Sequence, residues 1–541
     1  MSTSTDHSSD SSSAAETTYD VIVVGAGAVG ENAADRAGRT GLSVAVVEAE
    51  LVGGECSYWA CMPSKALLRP GAVLEAARAV PGAAEMITGT LDPAKVLARR
   101  DSFTSGWDDS SQVDWLDGAG IALVRGRARL TGPKTLDVTA DDGTVTHLTA
   151  RHAVVVATGS VPVVPPVPGL AEANPWGSRE ATSVKEVPAS LAIMGGGVVG
   201  VEMATAFADL GTKVTLVVRG ERLLASNEPF AGEAVADSLR DLGVDVHLST
   251  DVTSVEVHDD GTHLVTSSGG STQTLVAERL LVATGRKPAT DDIGLDVVGL
   301  TAGDPLTVDD AMLVEGVEGG WLFAVGDVTG RVATTHQGKY DARVAGDVVA
   351  ARFGGSSEGE LDAPDWSRFR ATADHAAVPQ VVFSRPEVAS VGLTEQGAKD
   401  AGYQVDVFSY DLGSVAGAAV AADGFTGKAQ IVVDTDRGVI VGATFVGPEV
   451  AELLHAATIA VVGEVRARPA LARRAVVPDG LRGVAAAARG RRALTGTSLT
   501  GDPGHAPPGT TVVSGRPPAA VGRPSGVRPA AAPQHAVAQS P

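Results

Sequence analysis

Two cysteines, Cys56 and Cys61, are the whole thiol content of a 541-residue chain, and they stand five positions apart. So few thiols cannot form a disulfide framework, so the spacing points to chemistry instead. They lie in Val52-Gly53-Gly54-Glu55-Cys56-Ser57-Tyr58-Trp59-Ala60-Cys61-Met62-Pro63-Ser64-Lys65. Pro63 suits the first turn of a helix, which puts Cys61 at or near its N-terminus. The helix dipole there favours a thiolate and makes the thiol reactive. Lys65, four residues on, can share a face with Cys61 and adds positive charge. No further cysteine is present to complete a zinc–thiolate site, so no metal is expected. The competing reading is a pair of buried free thiols with no chemistry.

Positioning these thiols falls to elements on either side. Tyr19-Asp20-Val21-Ile22-Val23-Val24 is a short apolar run typical of a strand covered on both faces. A turn with Gly25, Gly27 and Gly30 follows, then an Ala-rich helical stretch to about Arg39 and a second strand, Ser43–Glu48. This is a βαβ unit, and its right-handed crossover sets both strands in one parallel sheet. The design recurs about 170 positions later: strand Leu191–Met194, glycines Gly195, Gly197 and Gly200, a helix to about Leu210, strand Lys213–Val218. A lone GxGxxG is weak, but each copy here follows a buried strand and opens a helix, the context of a pyrophosphate site. The first copy taken alone also reads as a structural turn. Glu48 lies 23 positions past Gly25, where a carboxylate meets ribose hydroxyls. In the second copy that place holds Val218, followed by Arg219 and Arg222. A missing acid with added guanidinium groups fits a 2′-phosphate, hence NADPH before NADH. The competing reading makes both arginines solvated surface residues.

Composition narrows the function classes. Apolar residues make up 44% and charged residues 20%, as in ordinary globular chains. A net charge of −22 speaks against a nucleic-acid partner. No apolar run reaches the ~18 residues of a membrane span. Residues 1–18 read as a disordered Ser/Thr-rich leader without the apolar region of a secretory signal. β-rich alternation marks 121–139 and 244–284, and from about 371 the texture becomes a separate α+β unit with a helix around 449–462. Residues 465–541 hold 11 Arg, no Lys, two Asp, no Glu and no aromatic residue. That segment is +9 against about −31 for the rest, and without large apolar residues it is expected to be disordered.

Taken together, these residues resemble the flavin-dependent pyridine nucleotide–disulfide oxidoreductases, the group of dihydrolipoamide dehydrogenase, glutathione reductase and mercuric reductase. GGECSYWACMPSK resembles their redox-disulfide signature. ATGS at 157–160, ATGRKP at 283–288, FAVGDVTG at 323–330 and VPQVVFSRPEVASVGLTE extend the likeness over roughly 19–464. The resemblance implies an α/β fold with two Rossmann-type domains and an α+β dimerisation domain. An FAD-binding domain would span 19–160 and 286–365, an NAD(P)-binding domain 161–285, and the dimerisation domain 366–464. Gly25, Gly27, Gly30, Glu48, Lys65, Thr158, Gly159 and Asp327 would hold FAD. Gly195, Gly197, Gly200, Glu202, Val218, Arg219 and Gly285 would line the nicotinamide nucleotide site. Glu202 would pair with Lys65 near the flavin. Two local alternatives stand beside these roles: Asp327 as a helix N-cap, and Glu202 as a first-turn acid serving the helix dipole. The implied catalytic set is Cys56, Cys61, Lys65 and Glu202. NADPH would reduce the flavin, the flavin the cysteine pair, and Cys56, the outer thiol, would attack a disulfide substrate while Cys61 lies on the flavin side. A cytoplasmic homodimer is expected.

The family's closing His-Pro-Thr-x-x-Glu segment, which serves the outer thiol of the partner protomer, has no counterpart here. After HAATIAVVGEV the chain runs RARPALARRAVVPDGLRGVAAAARGRR, rich in residues with GC-heavy codons. A reading-frame slip near Val465 accounts for it, and the gene sequence tests this; a natural basic tail is the alternative. His336, His375 and His455 sit in regions that read as scaffold, which makes each a poor replacement base. Two rival functions follow: a diaphorase-like NAD(P)H:quinone reductase working from the flavin directly, or a catalytically impaired or silent homodimeric flavoprotein with a binding role.

Overall fold

Alanine and valine dictate the first unit. Val21–Val24 and Val44–Val47 are buried, and they pair in parallel with Val21 opposite Val44 and Val24 opposite Val47. A computed structural model describes residues 16–355 and 363–467. Its largest sheet has seven strands. Ala122–Arg125, Val44–Glu48, Glu16–Val24 and Val145–Val156 lie side by side; Thr135–Thr139 and Arg127–Gly132 continue one side, and Leu322–Ala324 pairs with Val145–Val156. The first strand begins at Glu16, so the last three residues assigned to a disordered leader belong to the sheet. They do so because Glu16–Tyr19 pair with His147–Ala150 on the long strand. The rest of that leader lies outside the described residues. Helix Ala28–Gly38 buries Ala33, Ala34 and Ala37. Helix Thr335–Phe353 crosses it at Gly346, where a Cβ would run into Arg36 and the Ala33 carbonyl. Small residues on both helices make that approach possible.

The chain leaves this unit through Ser160–Pro162 and returns through Arg286–Pro288, two short strands paired antiparallel. Between them stands a parallel four-stranded sheet, in the order Asp245–His247, Lys213–Val217, Ser190–Met194 and Arg279–Val282. A three-stranded antiparallel sheet, Asp251–His258, Gly261–Ser268 and Ser271–Ala277, stands beside it. Helix Val198–Asp209 is almost wholly buried, with Phe207 in the core.

The third unit is a five-stranded antiparallel sheet whose strand Val439–Gly447 is buried along its full length. Helix Ala451–Val462 packs on it through Leu453, Leu454, Ala457 and Val461. Val465–Ala467, placed in the disordered tail by composition, instead lie along the start of that strand. Ile440 N–H donates to the Val465 carbonyl (3.3 Å) and Ala467 N–H to the Gly438 carbonyl (2.9 Å). The remainder of the basic segment lies outside the described residues. Among the described residues no helix is long and apolar enough to cross a membrane.

Candidate functional site

Cys61 is the first residue of helix Cys61–Arg78, and Cys56 lies in the short helix Gly54–Tyr58 just before it. Both are free thiols, half-buried, and joined by a hydrogen bond. Accepting that bond from Cys56 holds the Cys61 thiol down to about 6; the Thr335 hydroxyl and the Lys65 ammonium add to the shift, and burial opposes it. Cys56, as donor of the same bond and buried, is pushed up and keeps its proton. Cys61 Sγ lies 3.2 Å from Thr335 Oγ1. Thr335 opens the 19-residue helix Thr335–Phe353, so two helix N-termini face one sulfur. Thr335 was not legible from sequence, because nothing in its spacing ties it to a cysteine 274 positions away.

Lys65 points from the same helix to Glu202, with Nζ–O distances of 2.8 and 3.1 Å. Glu202 is 3% exposed and also accepts the Phe383 N–H at 3.0 Å. It lies beyond the first turn of its helix, so the dipole-serving alternative is corrected: a buried charge is held here by its ion pair and a backbone donor.

The two glycine loops share one construction. Gly25 takes φ +100° and Gly195 φ +115°, conformations a side chain would strain, and a Cβ on either would strike the carbonyl of Ala157 or Ala283. A Cβ on Gly30 or Gly200 would run into the carbonyl of Gly25 or Gly195. Gly27 and Gly197 cap their helices in extended conformation. Glu48 ends the second strand, accepting the N–H groups of Ala26 and Glu50, both at 2.8 Å; burial pushes its carboxyl up. Val218 is buried, its methyls against Gly196, and Arg219 is exposed.

Thr158 Oγ1 donates to the Ala289 carbonyl (2.9 Å), and Gly159 and Gly285 have positive φ with open space where a Cβ would stand. Asp327 accepts from Ser160 Oγ at 2.6 Å, and Arg286 Nε donates to that same hydroxyl at 2.7 Å. Its turn, Gly326–Thr329, is capped by Val325, which corrects the N-cap alternative. His336 Nε2 donates to the Pro379 carbonyl (2.6 Å), His375 Nε2 sits 2.7 Å from Asp310, and His455 is exposed on helix Ala451–Val462. The first two are thus committed to partners other than the thiols.

The profile "Pyridine nucleotide-disulphide oxidoreductase" matches residues 19–342, and that family's dimerisation domain matches 378–478. The chain belongs to the pyridine nucleotide–disulfide oxidoreductase family. It is similar to dihydrolipoyl dehydrogenase of Chlorobaculum tepidum, 35% identical over 443 residues (81% of this chain, 89% of the relative). It is also similar to mercuric reductase of Staphylococcus aureus, 33% identical over 444 residues (82% and 77%). Its fold matches LpdA from Mycobacterium tuberculosis with TM-score 0.72 and 24% identity, covering 87% of this chain and 99% of that one. The Cu(II) complex of the HOCl-induced flavoprotein disulfide reductase RclA from Escherichia coli gives TM-score 0.72 and 23% identity, at 87% and 99% coverage.

The fold is therefore the mixed α/β architecture of this family, and the protein is an FAD-dependent enzyme that takes electrons from NAD(P)H. The dimerisation domain supports a homodimer. The first glycine loop fits FAD: a Cβ on Gly27 would meet nothing nearer than the Gly54 Cα at 3.9 Å, leaving room for phosphates to approach the backbone. The dimerisation match continues past Glu464 to residue 478. Residues 465–478, VRARPALARRAVVP, contain neither His nor an acidic residue.

Proposed function

We propose that this enzyme carries electrons from NADPH through the Cys56–Cys61 pair to a small disulfide substrate. The observation that carries this reading is the placement of the pair: Cys61 opens helix Cys61–Arg78 with its Sγ 3.2 Å from Thr335 Oγ1 and Lys65 one turn on, and Cys56 stands in the short helix just before it. In this reading Gly25, Gly27, Gly30, Glu48, Thr158, Gly159 and Asp327 hold FAD, with Lys65 and Glu202 at its ring. Gly195, Gly197, Gly200, Gly285 and Arg219 hold NADPH, and Val218 leaves room for the 2′-phosphate that a carboxylate would repel. Bound FAD supplies the conversion of a hydride from the nicotinamide into a pair of electrons for a disulfide. Lys65 fixes positive charge beside Cys61 and is itself kept in place by Glu202. Cys56, once deprotonated, attacks one sulfur of the substrate, and the other leaves as a thiolate that takes a proton from water. Cys61 then attacks the Cys56 sulfur, releasing the second thiol and forming the Cys56–Cys61 disulfide, which two electrons reopen.

Residues 465–478 lack the family's acid–base pair, which favours a second reading for the slow step: electrons leave the flavin directly for a quinone. General acid–base help is commonly worth ~10²–10⁴ in rate, so disulfide turnover should trail flavin reduction by that order. Cys56→Ser separates the two readings. Loss of disulfide reduction with quinone reduction retained supports the relay; retention of both activities assigns all turnover to the flavin. A thiol pair that must be reopened each cycle suits a reducing compartment such as the cytoplasm.

A further inference from the structure

The turn that carries the two cysteines is gripped from outside by an element that holds none of the candidate catalytic residues. Helix Ser178–Ser183 lies on the path into the nicotinamide-binding unit. Its Arg179 hydrogen-bonds Glu55 through Nε and pairs with Glu50 through Nη2 at 2.8 Å. The same guanidinium lies 4.3 Å from the centroid of the Trp59 ring. One turn on, the Thr182 hydroxyl is 2.8 Å from the Trp59 carbonyl and 2.8 Å from the Ser178 carbonyl, and shares its proton between them. Glu55 immediately precedes Cys56, and Trp59 stands two residues before Cys61, so both ends of the intervening turn are held.

The grip has a rigid backing. Arg100 is fully buried and donates to the carbonyls of Thr182 and of Val184, the latter at 2.6 Å. Arg286 Nη1 donates to Ser178 Oγ at 3.2 Å, and its Nη2 lies 3.5 Å from Glu55. The Glu180 carboxylate accepts the Gly177 N–H at 2.7 Å at the head of the helix. A planar fork that pairs with carboxylates and stacks on an aromatic ring at once is a geometry lysine cannot reproduce.

We propose that helix Ser178–Ser183 is a clamp on the redox turn, with Arg179 as the positioning residue that keeps Cys56 close to Cys61 and so sets the thiol–disulfide potential of the pair. This rests on the reading that the pair cycles between dithiol and disulfide. The equilibrium between those forms follows the effective concentration of one sulfur at the other. Holding the turn still therefore favours the disulfide, and releasing it favours the dithiol.

The test is equilibration of the purified flavoprotein with reduced and oxidised glutathione, quenched by alkylation and read by mass. Arg179→Ala should lower the disulfide formation constant about tenfold, ~30 mV toward a more oxidising potential. Glu55→Gln should shift it the same way by a smaller factor, and Arg179→Lys should recover part of the loss. The common sign is the signature. A through-space charge effect would move Arg179→Ala and Glu55→Gln in opposite directions, since one removes a cation and the other an anion beside the same thiol. Opposite shifts, or constants within twofold of wild type in both, overturn the clamp. If Arg179→Ala fails to fold, Glu55→Gln and Arg179→Lys carry the same test. A wild-type protein whose cysteines never pair under oxidised glutathione would instead overturn the relay itself.

Discussion

The two glycine loops are built alike and finished differently. Both turn at a glycine of positive φ, Gly25 and Gly195, and both need a third glycine, Gly30 or Gly200, to seat the helix against the turn. At the first loop the redox segment runs beside the turn: Gly27 bridges to Gly53, and a Cβ on Gly54 would meet the Gly27 Cα at 2.8 Å. At the second loop a Cβ on Gly197 would meet nothing within 4 Å. In the proposed reading the loop bordered by the redox segment holds the nucleotide that stays, and the open one the nucleotide that exchanges. The ends of the second strands diverge as well, in Glu48 with two backbone donors against Val218 packed on Gly196. In the proposed reading the backbone offers a phosphate seat at each loop, and the residue closing the second strand chooses the nucleotide.

The same substitution in each loop is the strongest way to break this comparison. Gly30→Val should yield protein without bound flavin, read as loss of the visible spectrum. Gly200→Val should purify yellow but be bleached by NADPH at least ~10²-fold more slowly, because its steric conflict displaces only the exchanging nucleotide. Equal flavin loss in both would mean that the loops are not functionally distinct. Next in size, removing Arg219 sharpens the contrast at the strand ends. Arg219→Ala should forfeit a charge-assisted contact of ~1.5–3 kcal/mol, raising KM for NADPH about 10- to 100-fold with KM for NADH nearly unchanged. Parallel changes for the two cofactors would make Arg219 a surface residue.

The smallest expected effect concerns the sulfur between the loops. The Cys61 thiol is held down to about 6, so its thiolate is present at pH 8 and lost as pH falls through that value. In the two-electron-reduced enzyme, the long-wavelength absorbance should follow the same course. Thr335→Val removes one hydrogen bond to the thiolate, worth about 1.5 kcal/mol, and should move that midpoint upward by about one pH unit. A midpoint unchanged by this substitution would leave the Cys56 hydrogen bond, with Lys65, as the cause.

Local pattern made both βαβ units readable, since a buried valine run, a glycine turn and an Ala-rich helix are each fixed by neighbours in sequence. The reactive cysteines were readable for the same reason, with Pro63 marking the helix start. What sequence could not supply was partnership over distance. Thr335 reaches Cys61, Arg179 reaches Glu55, and Ser160 reaches Asp327 only because segments more than a hundred positions apart fold against one another. Glu202 pairs with Lys65 as the resemblance implied, and the local alternatives for Glu202 and Asp327, a dipole or cap role, gave way to long-range partners. Val465–Ala467 fall in the same class, three residues of a basic, core-poor segment drawn onto a sheet by backbone pairing.

Anaerobic titration of the purified flavoprotein with NADPH, followed by absorption, reports flavin, nicotinamide and thiol together. Two electrons per protomer should bleach the flavin band only in part and raise a long-wavelength band from the Cys61 thiolate, absent in Cys61→Ser. Complete bleaching after two electrons, with no such band in the wild-type protein, would contradict a flavin coupled to this cysteine pair.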